Sequence, residues 1–288
     1  MSILIFGSIN LDLVTRTPRL PQTGETLTGH SFTTIPGGKG ANQAVAVARL
    51  GVSAEMVGRL GNDRFGQELL ASLQAAGVGC DRIQIDASTS SGIAVIAVDD
   101  RGENHIIIIP GANGQVGSDD VDRLRGLLPG AKALLLQLEI PQSAVMAAAT
   151  AAKQARVPVI LDPAPAPTEF YAELYRAIDI ITPNQTEAAA LVGFAIDSLA
   201  EATQAAQVLH QRGITTVIIK LGNQGAFCST LQAEVKEQFM VPAFSVQVVD
   251  TVAAGDAFNG GLAVALAEGY SLRDAVHWAS GVAALSVT

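Results

Sequence analysis

Short runs that are apolar at almost every position recur along the chain, at residues 3–6, 55–57, 134–138, 157–161, 178–181 and 216–219. Runs apolar on both faces are what strands of a buried parallel sheet require. Between them lie longer Ala-rich segments with helical spacing. Helices are predicted over 40–50, 65–76 and 199–212, each followed by a glycine (Gly51, Gly77, Gly213), and over 142–156 after Pro141. Glycine just past the last turn is the common helix stop. Strand, helix, strand repeated this often predicts right-handed crossovers and an α/β/α three-layer fold around a central, mostly parallel sheet.

Two segments break this rhythm. Residues 13–35 show Thr-rich alternation, at 27–28 and 31–35, and residues 92–109 read as a hairpin, with strands 92–98 and 105–109 around a polar turn at 99–104. Alternation of this kind marks half-buried strands. Either the two form a small β layer acting as a lid, or they are surface hairpins. No repeat, low-complexity tract or interdomain linker interrupts the chain, so residues 1–288 are expected to form one domain, with 162–167 as a rigid Pro-rich loop.

Composition narrows the function classes. The 288 residues carry 18 Lys+Arg against 27 Asp+Glu, a net charge of −9 that argues against a general nucleic-acid binder. Hydrophobic residues make up 49% and the mean hydropathy is +0.34, yet no apolar run approaches the ~18 residues of a membrane span. The first residues read as a strand rather than a targeting signal, and a cytoplasmic location is expected. Cys80 and Cys228 form no CxxC, and His30, His105, His210 and His277 no HxxxH, so neither a disulfide framework nor a zinc site is indicated.

Two glycine-rich segments carry candidate chemistry. The first, Gly37-Gly-Lys-Gly-Ala-Asn42, fails the Walker template, since Gly40 follows the Gly-Lys pair and Thr33 stands where another glycine is needed. It also fails the dinucleotide fingerprint, which needs Gly or Ala where Gln43 stands, and a NAD-dependent enzyme is disfavoured accordingly. What remains is either a backbone open to a ligand, with Lys39 and Asn42 as donors, or a plain glycine-rich helix start. The second, residues 250–259, enters a helix running to residue 268 through small residues. Free amides at such a start form an anion site, and Asp256 in the first turn is either a general base beside it or a carboxylate compensating the helix dipole. Asn10, Asp12, Glu139, Asp162, Asn184, Glu187, Gly222 and Gly225 all follow predicted strands. Ligands of open α/β sheets bind beyond that edge, so these groups can share one cleft.

With these motifs in place, the chain resembles the ribokinase family of sugar kinases, the phosphofructokinase-B type. The resemblance spans residues 3–288 and rests on Gly7-Ser-Ile-Asn-Leu-Asp12, Gly37-Gly-Lys-Gly-Ala-Asn-Gln-Ala44, Gly111-Ala-Asn113, Asp162-Pro-Ala-Pro-Ala166, Ile181-Thr-Pro-Asn-Gln-Thr-Glu187 and Asp250-Thr-Val-Ala-Ala-Gly-Asp-Ala-Phe-Asn259. It implies ATP-dependent phosphorylation of ribose at its 5-hydroxyl, with fructose or a nucleoside as alternative substrates and an inactive sugar- or nucleotide-binding protein as the reading from another class. It further implies that Asn10, Asp12, Gly38, Lys39, Asn42 and Glu139 hold the sugar. Asp256 would be the base, with the amides of Ala253, Ala254 and Gly255 stabilising the transferred group. Asn184, Lys220, Leu221, Gly222, Asn223, Gln224, Gly225, Gly255 and Ser280 would line the nucleotide pocket. Asn184 and Glu187 would organise magnesium through water, and Asp250, Val252 and Ser286 would serve a potassium site. The β layer would be a lid and the interface of a homodimer. Lys220 departs from the family pattern, in which a small hydroxyl residue is common there; its ammonium either reaches the ATP phosphates or points to solvent.

Overall fold

A computed structural model describes residues 2–232 and 235–288. In the main sheet β1 (Ser2–Phe6) is an interior strand, flanked in parallel by β4 (Ser53–Gly61) and β8 (Ala131–Leu136). From β8 the sheet continues in parallel through β9 (Val159–Leu161), β10 (Ile180–Ile181) and β11 (Thr216–Lys220). It ends in the antiparallel pair β12 (Ala226–Gln232) and β13 (Val235–Val241). Beyond β4, β5 (Gly79–Asp86) completes the nine strands on the other side.

Alternate residues of β1 feed two separate cores, which is why the fold has three layers. Leu4 and Phe6 pack with α4 (Gln142–Gln154), through Val145 and Ala148, and with the core that also takes Ala205 and Leu209 of α6 (Leu199–Gln211). Ile3 and Ile5 pack on the opposite face with Ala44 and Val47 of α1 (Lys39–Arg49) and Leu262 of α7 (Ala254–Ala267). That same core takes Ala275 of α8 (Leu272–Ser286) and Leu69 and Leu73 of α2 (Arg64–Ala75). The remaining helices are α3 (Ser118–Arg125) and α5 (Gln185–Val192), both beside the first core. No helix among the described residues is long and apolar enough to cross a membrane.

A second sheet of four strands has the order β3 (Ser31–Gly37), β2 (Asn10–Thr17), β6 (Gly92–Asp99), β7 (Asn104–Ile109). The two segments that break the βα rhythm thus come together, with β2 and β6 parallel and β3 and β7 antiparallel on the outside. Its surface exposes Phe32, Ile35 and the run Ile106 to Ile109.

The structure differs from the sequence reading in three places. Residues 18–30, including the alternation at 27–28, form no strand, and β2 begins at Asn10. Asn10 and Asp12 therefore lie in the small sheet rather than in a loop after β1. The strands β5, β12 and β13 were not anticipated from the pattern. β5 is an edge strand whose outer positions are polar, and β12 buries Ser229 and Thr230 by pairing them, Thr230 with Thr216 at 3.0 Å and Ser229 with His210 at 2.9 Å. Satisfied hydroxyls are cheap to bury, and they erase the apolar pattern that marks a strand.

Candidate active site

The chain turns from β1 into the small sheet through Ser8 and Ile9, and this corner is held by amides rather than by packing alone. Asn113 clamps Ile9 at both ends, accepting from its N–H at 2.9 Å and donating to its carbonyl at 2.9 Å, and donates again to Asn10 Oδ1 at 2.7 Å. Glu139, just after β8, gathers the opposite wall. One of its oxygens accepts from the Ser8 hydroxyl, the Lys39 amide at 3.1 Å and Asn10 Nδ2 at 3.3 Å. Gly38 sits between them with φ of 89°, and a Cβ there would lie 2.6 Å from the Asn10 nitrogen. Only glycine fits both the left-handed backbone and the gap. The Asp12 carboxyl lies against Gly37, 2.8 Å from where a Cβ would be. Burial, and then the charge of Glu139, push Asp12 up to about 6. Acceptors (Asp12, Glu139) and donors (Asn10, Lys39, Asn42) alternate around this corner, a pattern suited to a polyol.

Asp256 closes the corner from the other side. It occupies the first turn of α7, which packs against α1, and is buried. Its two oxygens accept from Asn42 Nδ2 and Gln43 Nε2, each at 3.1 Å. Gln43 also reaches Asp162 at 3.4 Å and accepts from Gln137 Nε2 at 2.7 Å. Burial raises Asp256 to about 6, assisted by Asp162 and opposed by Lys39 and by the two amide donors. For Lys39 itself burial works against the charge, but Asp162, Asp256, Glu139 and Glu187 together outweigh it and the ammonium is held on.

The two raised carboxyls make stability depend on pH in a defined direction. Asp12 and Asp256 keep their protons to about pH 6 in the folded chain but release them near 3.8 when unfolded. Between those values the folded form binds more protons, so their contribution is full below about pH 4 and is lost as pH rises through 6. Asp256→Asn removes one of these groups. Its melting temperature in the absence of ligands should gain on that of the wild type by a few degrees between pH 4 and 7. A gap that stays constant across that range would give Asp256 an ordinary carboxyl.

The N-terminus of α7 faces a cavity of about 770 Å³. Its N-cap, Ala253, adopts φ of 60°, a left-handed conformation that costs a non-glycine residue about 1–2 kcal/mol. Such a kink turns the entering chain so that first-turn amides face the cavity. The Ala254 amide donates to the Thr251 carbonyl at 3.3 Å, while those of Gly255 and Asp256 have no intrahelical acceptor. Lys39, Asp162, Asn184, Glu187, Lys220, Gly222, Asn223, Gly225, Gly255, Asp256 and Ser280 all line the cavity, and Ala243, Phe244, Val246, Ala283 and Val287 form an apolar end suited to a flat aromatic ring. Leu221 instead lies in the core, and Gln224 is exposed and outside the lining. Ser280 donates to the Val276 carbonyl at 2.9 Å.

Asn184 and Glu187 form a capping box at the start of α5: Asn184 Oδ1 accepts from the Glu187 amide at 2.8 Å and Glu187 Oε2 from the Asn184 amide at 2.8 Å. Burial, and then Asp162, raise the Glu187 carboxyl. Lys220, at the end of β11, points neither to solvent nor to a free position; its Nζ is 2.9 Å from Asp162 Oδ1. Asp250 and Ser286 come near each other because the Val249 and Asp250 amides reach the Val287 carbonyl, at 2.8 and 3.4 Å. Asp250 Oδ1 accepts from the Val252 amide at 2.9 Å, and the Val252 side chain is exposed. None of these three lines the cavity.

Ser8, Gln43 and Gln137 were not singled out from the sequence, and each is fully buried at the site. The signal for Gln43 is a polar residue on the core-facing side of an Ala-rich helix, one turn after Lys39. Gln137 stands inside the apolar run 134–138, where a single polar residue reads as an incidental interruption. Ser8 lies within the Gly7-Ser-Ile-Asn-Leu-Asp12 motif, which by itself gives it no role.

An α/β sheet edge that holds a polyol-like corner and an anion-binding helix around one buried carboxyl is the arrangement of a sugar kinase. The family model described as pfkB family carbohydrate kinase matches residues 1–288. The chain is 40% identical over 287 residues to a ribokinase of Haemophilus influenzae, spanning all of this chain and 92% of that protein. It is 36% identical over 288 residues to a deoxyribokinase of Salmonella typhi, with 93% of that protein covered. Among solved structures, an Arabidopsis thaliana ribokinase complexed with ribose and ATP superposes with a TM-score of 0.90 at 37% identity, covering 99% of this chain and 92% of that one. The chain belongs to the pfkB family of carbohydrate kinases.

Proposed function

We propose that the protein is an ATP-dependent ribose kinase that phosphorylates the 5-hydroxyl. The observation that carries it is Asp256, buried between the polyol-like corner and the anion-binding turn of α7 and oriented through both oxygens. Its carboxylate takes the proton of the sugar hydroxyl, whose oxygen attacks the γ-phosphorus. The bond to the β,γ-bridging oxygen breaks, and ADP leaves with that electron pair. The α7 turn, with the amides of Ala253, Gly255 and, once it leaves the Thr251 carbonyl, Ala254, meets the charge on the transferring group. Glu139, Asn10 and Lys39 orient the sugar, and Asp12 and Asn42 complete its contacts. ATP lies along the cavity, with its base at the apolar end near Ser280 and Gly225.

Asn184 and Glu187 fit a water-mediated magnesium role, because the Glu187 carboxyl reaches the cavity wall beside the phosphate turn while remaining fixed by its cap. Magnesium, when bound, offsets phosphate charge. Asp250, Val252 and Ser286 are the candidates for potassium, on the loop that docks at the end of α8. The small sheet serves as a lid over the sugar corner, since it carries Asn10 and Asp12, and its exposed isoleucines suit a homodimer. Residues 1–288 act as one domain, and dependence on ATP together with two free thiols favours a cytoplasmic setting.

A competition assay with ATP and magnesium, with and without potassium, tests this reading. The expected order of kcat/KM places ribose above 2-deoxyribose, fructose and nucleosides. A different sugar in first place overturns the substrate, and light scattering on the same sample reports the dimer.

A further inference from the structure

The Lys220 ammonium has a second neighbour besides Asp162. It lies 3.1 Å from the point where a Cβ on Gly255 would sit, so the ammonium is packed against the first turn of α7. Its partner Asp162 is buried and is tied through Gln43 to the same carboxyl that serves as base. A lysine ammonium has three donors, and the Asp162 contact uses one. The others are beside the amides that receive an anion.

We infer that Lys220 is a ligand of the transferring phosphoryl group, stored on Asp162 until a nucleotide arrives and then shared between that carboxylate and the phosphate oxygens. This rests on the ATP-dependent kinase reading and assigns this side chain a role within it. Among the described residues that line the cavity, the carboxyls are Asp162, Glu187 and Asp256 and the ammonium groups are Lys39 and Lys220. Of these two cations Lys220 is the one packed against Gly255, so a phosphate received by the α7 turn meets it there. The plainer role, a counter-ion that merely neutralises Asp162, has a different signature.

Lys220→Met alone does not separate the two, because it also strands a buried carboxylate. The deciding comparison is Asp162→Asn, in which Glu187 still faces the Lys220 ammonium, against Asp162→Asn/Lys220→Met, in which the Asp162–Lys220 pair is removed whole; a thermal melt of both checks that they fold alike. A phosphate ligand predicts that the double variant turns over roughly 10²-fold slower than Asp162→Asn, the usual cost of one lost transition-state donor, with KM for the sugar nearly unchanged. Calorimetry with a non-hydrolysable ATP analogue and with AMP, with no sugar present, should show affinity for the analogue reduced about tenfold by the added Lys220→Met while affinity for AMP stays the same. Equal turnover and equal analogue affinity in the two variants would make Lys220 a counter-ion only. Since the calorimetric arm needs no sugar, it holds even if the ribose assignment fails.

Discussion

Asp256→Asn should lower turnover by about 10² to 10⁴ while leaving ribose and ATP bound, the usual worth of a positioned general base. The asparagine keeps the size of the side chain and an acceptor for Asn42 or Gln43, so the site stays assembled. What it cannot do is take a proton. The same variant should be at least as stable as the wild type at neutral pH, because a carboxyl pushed up by burial is a group the fold tolerates for chemistry rather than for stability. Steady-state kinetics and a thermal melt on one preparation check both halves. Near-normal turnover would remove Asp256 from the base position, and a loss of stability would mean its charge is better compensated than its surroundings imply.

Glu139→Gln should be the second most damaging change, and it should act on the sugar. One oxygen of Glu139 accepts from Ser8, Asn10 and the Lys39 amide. An amide in its place presents donors where acceptors are required, or turns its single acceptor to these groups and loses the charge that strengthens all three bonds. Sites built around hydrogen bonds to hydroxyls lose heavily when a partner is missing. The expected result is a fall in kcat/KM for ribose of at least about 10², carried mainly by KM, with KM for ATP within a few-fold of wild type. An unchanged ribose KM would show that Glu139 supports the corner without reaching the sugar.

The parts of this fold legible in the sequence are those where one physical demand dominates. The parallel strands β1, β4, β8 and β11 are apolar on both faces because helices cover both, and the helices α1, α2 and α6 end at Gly51, Gly77 and Gly213 within a residue or two of their predicted stops. The edge strands β5 and β13 and the neighbouring β12 were hidden because polar residues in them are satisfied by solvent or by hydroxyl partners. In the site, Asp256 and Lys39 stood out through their glycine-rich surroundings. Gln43 and Gln137 did not, since a buried glutamine becomes recognisable only when its partners are known. The Lys220 pairing joins the ends of two strands 58 positions apart, Asp162 and Lys220, which no local pattern encodes.

The contact between Asn42 and Asp256 joins positions 214 apart. β1 is an interior strand of the sheet, and both of its edges are paired only when β4 and β8 have been made. The sugar corner can thus begin to form once β8 and Glu139 have emerged from the ribosome, but its proton acceptor arrives only after the next hundred or so residues. Until α7 settles on α1, a growing chain presents a sugar-shaped recess with an open wall. Catalytic competence consequently comes after the sugar corner in the order of synthesis, and it reports that segments 214 positions apart have found each other.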